Sequence, residues 1–551
     1  VTKQDPIAEA ARRRFGYRSL RPGQREAIQS VIDKRDTLAV LATGVGKSAI
    51  YELAGPLLRG STVVVSPLIA LQRDQLTALE AAGDMVAIAL NSEATAGRRR
   101  QLLDEVSRRD RPPDFVFLAP EQLVNTDVID RLAALRPVLL AVDEAHLVSQ
   151  WGPDFRPDYL RIAPALDAIG RPVVLALTAT AAPAVRDEIV ARLRMRQPQV
   201  LVHGFGRDNI RLSVHSYFTD ERHKLEVVTA DVIEAVHTRG RGIVYGATHR
   251  AVETLAERLS SRGLRAISYH AGLRDDVRRV AERRFHEGDA DVIVATIAFG
   301  MGIDKPDTRW VFHVDVPGSP DQYYQEFGRA GRDGEHAEAV LYFRTEDLSL
   351  PRRYAAGTGP SPAALNAVMD AVSAEPGAVT MTSVQHRTGL SRRSTEAAAM
   401  ALADAGGIRV GADGEVVVSG DRTEAVTAAS YQVQARRAIE RGRVEIMKQY
   451  AEHVGCRWNF LLGYFGEQAP TRCGHCDNDE RNEANAGEAQ GPRPFARGAR
   501  VRHDVFGEGD VVGYVGSLIL IAFDTAGYRR FELNSVIDAN VLQGVGPPMA
   551  P

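Results

Sequence analysis

Short apolar runs separated by stretches of helical spacing occupy residues 1–350. The runs Thr37–Leu41, Val63–Val65, Phe115–Leu118, Val138–Val142 and Val173–Leu177 are near-continuously apolar rather than alternating, so each strand is expected to be covered on both faces. With helical segments between them they predict a parallel sheet flanked by helices. The pattern restarts after Phe205, at Gly242–Tyr245, Ala266–Tyr269, Asp291–Ala295, Trp310–Val314 and Ala339–Phe343. The expected fold class is therefore α/β, with two doubly wound domains in tandem over 1–205 and 206–350.

The alternation then ends. Arg352–Pro362, with Gly357, Gly359, Pro360 and Pro362, reads as a linker. Residues 360–422 read as helix, short helix, turn, longer helix and a hairpin at Asp413-Gly414, the pattern of a winged helix. A helical stretch bearing Arg436, Arg437, Arg441, Arg443 and Lys448 leads into a cysteine-containing module over 423–480. Residues 481–493, small, polar and acidic, read as a mobile linker, and 494–545 as the short strands and glycine turns of a small β-barrel.

Composition excludes several classes. The chain has 551 residues, 44% hydrophobic and 25% charged, which rules out bulk disorder. Its formal charge of -3, from 68 Lys and Arg against 71 Asp and Glu, does not exclude nucleic acid, because local clustering of basic residues decides that binding. No apolar run approaches the roughly 18 residues of a membrane span, and no signal-peptide core follows Arg12, Arg13 and Arg14. A soluble, cytoplasmic protein with no membrane partner is expected. Three cysteines cannot build a disulfide framework, and two stand as Cys473-Gly-His-Cys476, a spacing that points to metal in a reducing compartment.

Leu41-Ala-Thr-Gly-Val-Gly-Lys-Ser48 lies between a buried strand and a helix, where backbone N–H groups can cradle a triphosphate. Thr43, Gly44, Val45 and Gly46 would form the cradle, Lys47 would neutralise the β- and γ-phosphates, and Ser48 would bind Mg²⁺. Leu41 stands where the strict pattern has glycine, so a strand-to-helix turn using glycine for geometry is the alternative. The run Val138–Val142 ends in Asp143-Glu144-Ala145-His146, which puts carboxylates at a strand's C-terminal end, facing the ligand crevice. Asp143 would hold Mg²⁺ and Glu144 would act as general base on the attacking water. A helical cluster of Gln325, Arg329 and Arg332 would present two guanidiniums to the phosphates.

Asp143-Glu-Ala-His146 with Leu177-Thr-Ala-Thr180 resembles superfamily 2 helicases, and longer motifs over residues 8–345 resemble the RecQ family. These are Phe15-Gly-Tyr-Arg-Ser-Leu-Arg-Pro-Gly-Gln24, Ser149-Gln-Trp-Gly-Pro-Asp-Phe-Arg-Pro157, Tyr269-His-Ala-Gly-Leu273, Ala295-Thr-Ile-Ala-Phe-Gly-Met-Gly-Ile-Asp-Lys305 and Gln325-Glu-Phe-Gly-Arg-Ala-Gly-Arg-Asp-Gly334. The resemblance implies two RecA-like domains that share ATP. Gln24 would read the adenine edge with Tyr17 and Arg21 stacked on its faces, and Gly302 and Asp304 would border the nucleotide. It assigns DNA contact to Ser66, Gln150, Trp151, Phe155, Arg156, Thr178, Thr180, His270 and Thr296, and implies 3′-to-5′ movement in DNA repair or recombination. The residues alone leave Trp151 and Phe155 open to a core role.

The chain also departs from that family. Pro153 stands where the aromatic-rich loop has His, Val45 replaces a common glycine, and the winged helix precedes the cysteines instead of following them. Cys456, Cys473 and Cys476 resemble a four-cysteine zinc module in which Asp479 occupies the fourth ligand position, with His475 pointing away. The alternative is a metal-free vestige held by Trp458, Phe460 and Phe465. Arg497 to Phe531 resembles the Tudor-like barrel that ends UvrD-type helicases, which implies a protein partner such as RNA polymerase; a generic barrel that binds DNA or nothing is the other reading.

The reading as a whole is a monomeric, ATP- and Mg²⁺-dependent, zinc-holding motor on single-stranded DNA and 3′-tailed duplexes. Weak duplex unwinding is expected, because the hairpin tip Gly411-Ala-Asp-Gly414 lacks an aromatic wedge. A nucleotide-gated clamp and an RNA-directed helicase are the rival readings.

Overall fold

Buried Val, Leu, Ile and Phe make the strands of two all-parallel sheets. The computed structural model describes residues 5–42, 46–67, 69–81, 85–90, 112–149, 157–217, 221–300, 305–357, 359–375, 377–411, 415–467, 471–484, 494–495, 499–515, 518–523, 527–538 and 541–545. They form two compact units, Val1–Ala451 with Leu461–Ala469, and Glu452–Phe460 with Pro470–Pro551.

The larger unit begins with β1 (Thr37–Leu41), β2 (Thr62–Val65), β3 (Ala87–Leu90), β4 (Phe115–Leu118), β5 (Leu139–Val142), β6 (Val173–Thr178) and β7 (Gln199–His203). Their order is β3-β4-β2-β5-β6-β1-β7, so the chain crosses over at β1 and at β2. Every residue of β1, β2, β4 and β5 is buried, as expected of a sheet covered on both faces. Asp36 pins the base of this sheet, its carboxylate accepting from Val174 N (2.9 Å), Arg196 N (2.7 Å) and Arg171 Nη2 (2.9 Å).

The second sheet contains β8 (Ile210–Ser216), β9 (Gly242–Tyr245), β10 (Ala266–Tyr269), β11 (Val292–Ala295), β12 (Trp310–His313) and β13 (Ala337–Phe343), in the order β10-β11-β9-β12-β13-β8. The expected α/β class and its tandem sheets are thus present. Three strands escaped the sequence pattern. β3 and β7 are only half buried, and β8 alternates polar and apolar residues, so none reads as a continuous apolar run.

Helices Pro362–Ser373, Met381–Thr388 and Arg392–Asp404 pack around β14 (Val379–Thr380), β15 (Ile408–Val410) and β16 (Glu415–Val418), the winged-helix arrangement, while residues 412–414 of the hairpin tip lie outside the described residues. Two expected linkers are partly helical. Ser349–Gly357 is a helix because it buries Pro351 and Ala355 and pairs Arg352 with Glu445 at 3.3 Å on the long helix Arg422–Ala451. Asp477–Ala484 is a helix whose first turn carries Asp477, Asp479 and Glu480, charges that favour a helix N-terminus.

The smaller unit holds the cysteines and a five-stranded antiparallel sheet of β17 (Arg500–His503), β18 (Gly507–Val515), β19 (Leu518–Phe523), β20 (Gly527–Glu532) and β21 (Gln543–Gly544). Val501, Val511, Ile519, Ile521 and Phe523 form its core.

Candidate active site

Parallel register sets the first half of the site. Val65 pairs with Val142 and Val40 with Thr178, so the residues that follow β1, β2, β5 and β6 emerge along one edge. Helix Ser48–Leu58 starts there, with Lys47 at its N-cap and Lys47 Nζ 3.4 Å from Leu41 O. Burial pulls the Lys47 pKa down, Glu144 and Asp143 oppose that pull, and Arg332 adds to it. Thr43, Gly44 and Val45 lie outside the described residues, as do Gln150, Trp151, Pro153, Phe155, Arg156, Gly302 and Asp304.

Gln24 is buried beside this edge. Its Nε2 donates to Gly46 O at 2.8 Å and its Oε1 accepts from Arg21 N at 2.7 Å, so one amide joins the expected adenine-reading segment to the phosphate-cradling one. Gly23 makes this possible. Its φ is +81°, and a Cβ there would fall 2.7 Å from Leu41 Cδ2 on β1. Tyr17 stacks on Phe15 with ring centres 5.6 Å apart and donates to Glu52 Oε2 at 3.4 Å. Burial raises Tyr17 to about 12 and Glu52 to about 7, the latter opposed by hydrogen bonds from Ser48 and Tyr17.

Asp143 and Glu144 follow β5. Burial and the neighbouring Glu144 raise the Asp143 pKa, and Lys47 opposes them. Glu144 has φ +48°, a left-handed conformation that costs a non-glycine residue about 1–3 kcal/mol and turns its side chain sharply off the strand. His146 Nδ1 lies 3.3 Å from Glu144 Oε2 and 2.9 Å from Thr178 Oγ1. Because the Thr178 hydroxyl donates to Thr180 O at 3.0 Å, His146 Nδ1 carries the proton in the bond to Thr178. Gln325 Nε2 of the second domain then donates to Thr180 Oγ1 at 2.8 Å. A polar relay therefore runs from His146 through Thr178 and Thr180 to Gln325, with Glu144 Oε2 near its start but taking no hydrogen bond from it.

Gln325 sits on helix Pro320–Phe327, capped by Ser319, whose Oγ accepts from Gln322 N at 3.1 Å. The helix stops at Phe327, so Arg329 and Arg332 stand on the following turn and not on a helix as the sequence suggested. Gly331 shapes that turn. It has φ +55°, and a Cβ there would lie 2.4 Å from Asn209 Nδ2. The two arginines also differ in address. Arg332 bears on Lys47 of the first domain as well as on Tyr245, whereas Arg329 is buried, hydrogen-bonded to Tyr245 and against Gly300, both in its own domain.

The described residues that the resemblance assigns to DNA, namely Ser66, Thr178, Thr180, His270 and Thr296, are all buried. Ser66 Oγ lies 3.5 Å from Asp143 Oδ2, Thr178 and Thr180 belong to the relay, and His270 Nε2 lies 3.0 Å from Glu253 Oε1. Arg207 and Asn209 escaped sequence reasoning, although both contact the arginine-bearing turn. They sit in a polar connection with no recognisable phosphate or metal pattern.

In the smaller unit, one ligand atom each from Cys456, Cys473, Cys476 and Asp479 lie within 4.8 Å of one another. Backbone N–H groups of Asn459, His475 and Arg457 point at the three sulfurs at 3.4 to 3.5 Å, and Asp479 Oδ2 accepts from Cys473 N at 2.8 Å. Three soft sulfurs and one carboxylate, fixed by such bonds, fit tetrahedral Zn²⁺. His475 Nδ1 is instead 2.8 Å from Cys473 O, and His475 is not in the cluster.

Comparison with known proteins agrees with this geometry. Residues 21–189 match the DEAD/DEAH box helicase family, 223–334 the helicase conserved C-terminal domain and 421–480 the RecQ zinc-binding family. The chain is 40% identical over 340 residues to the ATP-dependent DNA helicase RecQ of Bacillus subtilis, covering 61% of this chain and 56% of that protein. It is 31% identical over 465 residues to the protein of the same name from Haemophilus influenzae, covering 84% and 62%. The chain thus spans little more than half the length of such relatives. Mycobacterium smegmatis helicase Lhr bound to ssDNA and AMP-PNP is 20% identical with a TM-score of 0.51, covering 77% of this chain and 62% of that one, which shows a shared fold. With helicase models on both parallel-sheet domains and a RecQ zinc-binding model over the cysteine cluster, the chain belongs to the RecQ-like helicase family.

Proposed function

We propose that the chain is a DNA-dependent ATPase that moves 3′ to 5′ on single-stranded DNA. The observation that carries this reading is the relay from His146 through Thr178 and Thr180 to Gln325, because it starts 3.3 Å from the expected general base, Glu144, in one domain and ends on the arginine-bearing segment of the other. Such wiring lets hydrolysis alter how the two domains meet, and two domains gripping one strand then step along it.

Lys47 neutralises phosphate charge, Glu144 takes a proton from the attacking water, and Arg332 stabilises charge that develops on the transferring phosphoryl group. Ser48 and Asp143 would hold Mg²⁺, which when bound lends positive charge to the phosphate oxygens. Cys456, Cys473, Cys476 and Asp479 would hold one Zn²⁺ in a structural role.

The finer reading is a monomeric cytoplasmic protein of DNA repair or recombination, acting on single strands and 3′-tailed duplexes, with RNA polymerase as a partner of the C-terminal sheet. Weak duplex unwinding accompanies it, since Gly411-Ala-Asp-Gly414 offers no ring to stack on a terminal base pair.

Steady-state ATPase with single-stranded DNA, duplex DNA and RNA tests the proposal. Strong stimulation by single-stranded DNA, lost in Glu144→Gln while ATP binding remains, is expected. Equal turnover with and without DNA, or stimulation by RNA alone, would overturn it. Stimulated hydrolysis without displacement of streptavidin from biotinylated strands would favour a nucleotide-gated clamp.

A further inference from the structure

The connection between β7 and β8 is a strap across the arginine-bearing segment. Phe205 O accepts from the Tyr324 hydroxyl at 2.8 Å, one residue before Gln325. Arg207 then spreads its guanidinium over the turn. Its Nη1 donates to Gly328 O at 3.3 Å, and its Nη2 to Ala330 O at 2.9 Å and Gly331 O at 2.8 Å. Asn209 Nδ2 adds bonds to Gly331 O and Glu335 O, each at 2.8 Å. The turn that carries Arg329 and Arg332 has therefore surrendered its carbonyls to side chains of the interdomain connection.

The strap is held from its other side as well. The Phe205 ring lies parallel to Phe465 at 4.4 Å and 3°, and Phe205 N donates to Glu467 Oε2 at 3.0 Å. Two physical points follow. A planar, delocalised guanidinium reaches three carbonyls in fixed directions, which an ammonium cannot reproduce. Any change in the angle between the two domains also has to be taken up in the short stretch between His203 and Ile210, the stretch that grips the turn.

We propose that Arg207 is a positioning residue: through it, the interdomain connection holds the Arg329–Arg332 turn and sets the aim of Arg332 at the nucleotide according to the angle between the domains. This rests on the ATP-hydrolysing reading above. Arg207 acts through Arg332 and not on substrate, so its loss impairs turnover more than nucleotide binding.

The test uses the full chain with Arg207→Ala, Arg207→Lys, Arg332→Ala and the Arg207→Ala, Arg332→Ala double variant. In Arg207→Ala, kcat should fall on the order of 10- to 100-fold, the cost of a misplacement near 1 Å, with the KM for ATP within about threefold of the parent. Arg207→Lys should not restore it. In the Arg332→Ala background the further loss should shrink to about twofold or less, because two residues acting as one unit are not additive. Hydrogen exchange at the turn, residues 328–336, should quicken roughly tenfold while β12 and β13 keep their protection.

Parent-like exchange at the turn in Arg207→Ala, or a kcat loss undiminished in the Arg332→Ala background, overturns the proposal. If Arg207→Ala also exposes β12 and β13, Asn209→Ala, which removes the bonds to Gly331 and Glu335 and the acceptor at 3.3 Å for Arg207 Nε, takes its place; unchanged exchange there overturns the proposal equally. A parent protein without ATPase would remove the functional reading, while the exchange measurement still judges the strap.

Discussion

Gln325 Nε2 donates to Thr180 Oγ1 at 2.8 Å, joining the helix before the arginine-bearing turn to the strand end that receives the His146 bond. Thr180 has 1% of its surface exposed, so the pair is shielded from competing water. Thr180→Val keeps the shape and removes the acceptor. A hydrogen bond worth about 1 kcal/mol that is needed in the transition state corresponds to roughly a fivefold loss of kcat, and a stranded buried amide adds to it. The expected outcome is a drop of five- to tenfold or more in DNA-stimulated kcat with ATP KM nearly unchanged. Parent-like stimulation in Thr180→Val would mean that the domains communicate by another route.

The Gln24 amide is occupied within the protein, holding Gly46 O and Arg21 N. An adenine offering N6–H and N7 suits the same donor and acceptor pair, so nucleotide binding would exchange internal bonds for bonds to the base. Tyr17 supplies stacking that does not distinguish bases. Gln24→Ala should therefore narrow the preference for ATP over GTP by roughly tenfold or more, since a bidentate pair is worth about 1–3 kcal/mol. A mutant that keeps the full ATP preference would exclude Gln24 as the reader of adenine.

Glu52 supplies a pH dependence with a definite sign. Burial lifts its folded pKa from 4.5 to about 7, so between those values the folded chain binds more protons than the unfolded one. Stability from this group is present below the unfolded value and is lost as pH rises through about 7. Glu52→Gln keeps an acceptor for Tyr17 and Ser48 without the buried charge. At pH 8 it should gain up to about 3 kcal/mol over the parent. Melting curves should show a higher Tm for the variant at pH 8 and a narrower gap at pH 5. A gap that widens on acidification would contradict the assignment.

The sequence disclosed whatever was carried by continuous apolar runs or by a motif whose chemistry demands its spacing. β1 and β5 were legible for those reasons, as was the position of Lys47, Asp143 and Glu144 at the ends of buried strands, whereas Asp479 beside the cysteines was reached only through the resemblance to a four-cysteine zinc module. Half-covered strands were not legible, since β3 and β7 have neither continuous apolarity nor clean alternation. Long-range polar bonds were equally hidden. Arg207 meets Ala330 across 123 residues, and a lone arginine in a polar connection gives no sign that its partners are distant carbonyls. Thr178 and Thr180 were visible as a motif, yet which groups they bond depends on the register of β1 against β6.

Asp479 is the residue on which the metal site turns. Its Oδ2 already accepts from Cys473 N at 2.8 Å and Gly474 N at 3.1 Å, so the carboxylate both orders the Cys473 turn and offers a lone pair to the cluster. Asp479→Asn keeps an acceptor for those N–H groups and replaces an anionic ligand with a neutral one, which separates ligation from folding. Purified parent protein, never exposed to chelator, should contain about one zinc per chain. Asp479→Asn should release it at least about tenfold faster to a chromogenic chelator, an effect in the range of lost metal-site partners. His475→Ala should leave release unchanged, because His475 Nδ1 is engaged with Cys473 O. Zinc near zero in the parent would leave the three cysteines as a packed cluster without metal, and equal release from Asp479→Asn would remove Asp479 from the ligand set.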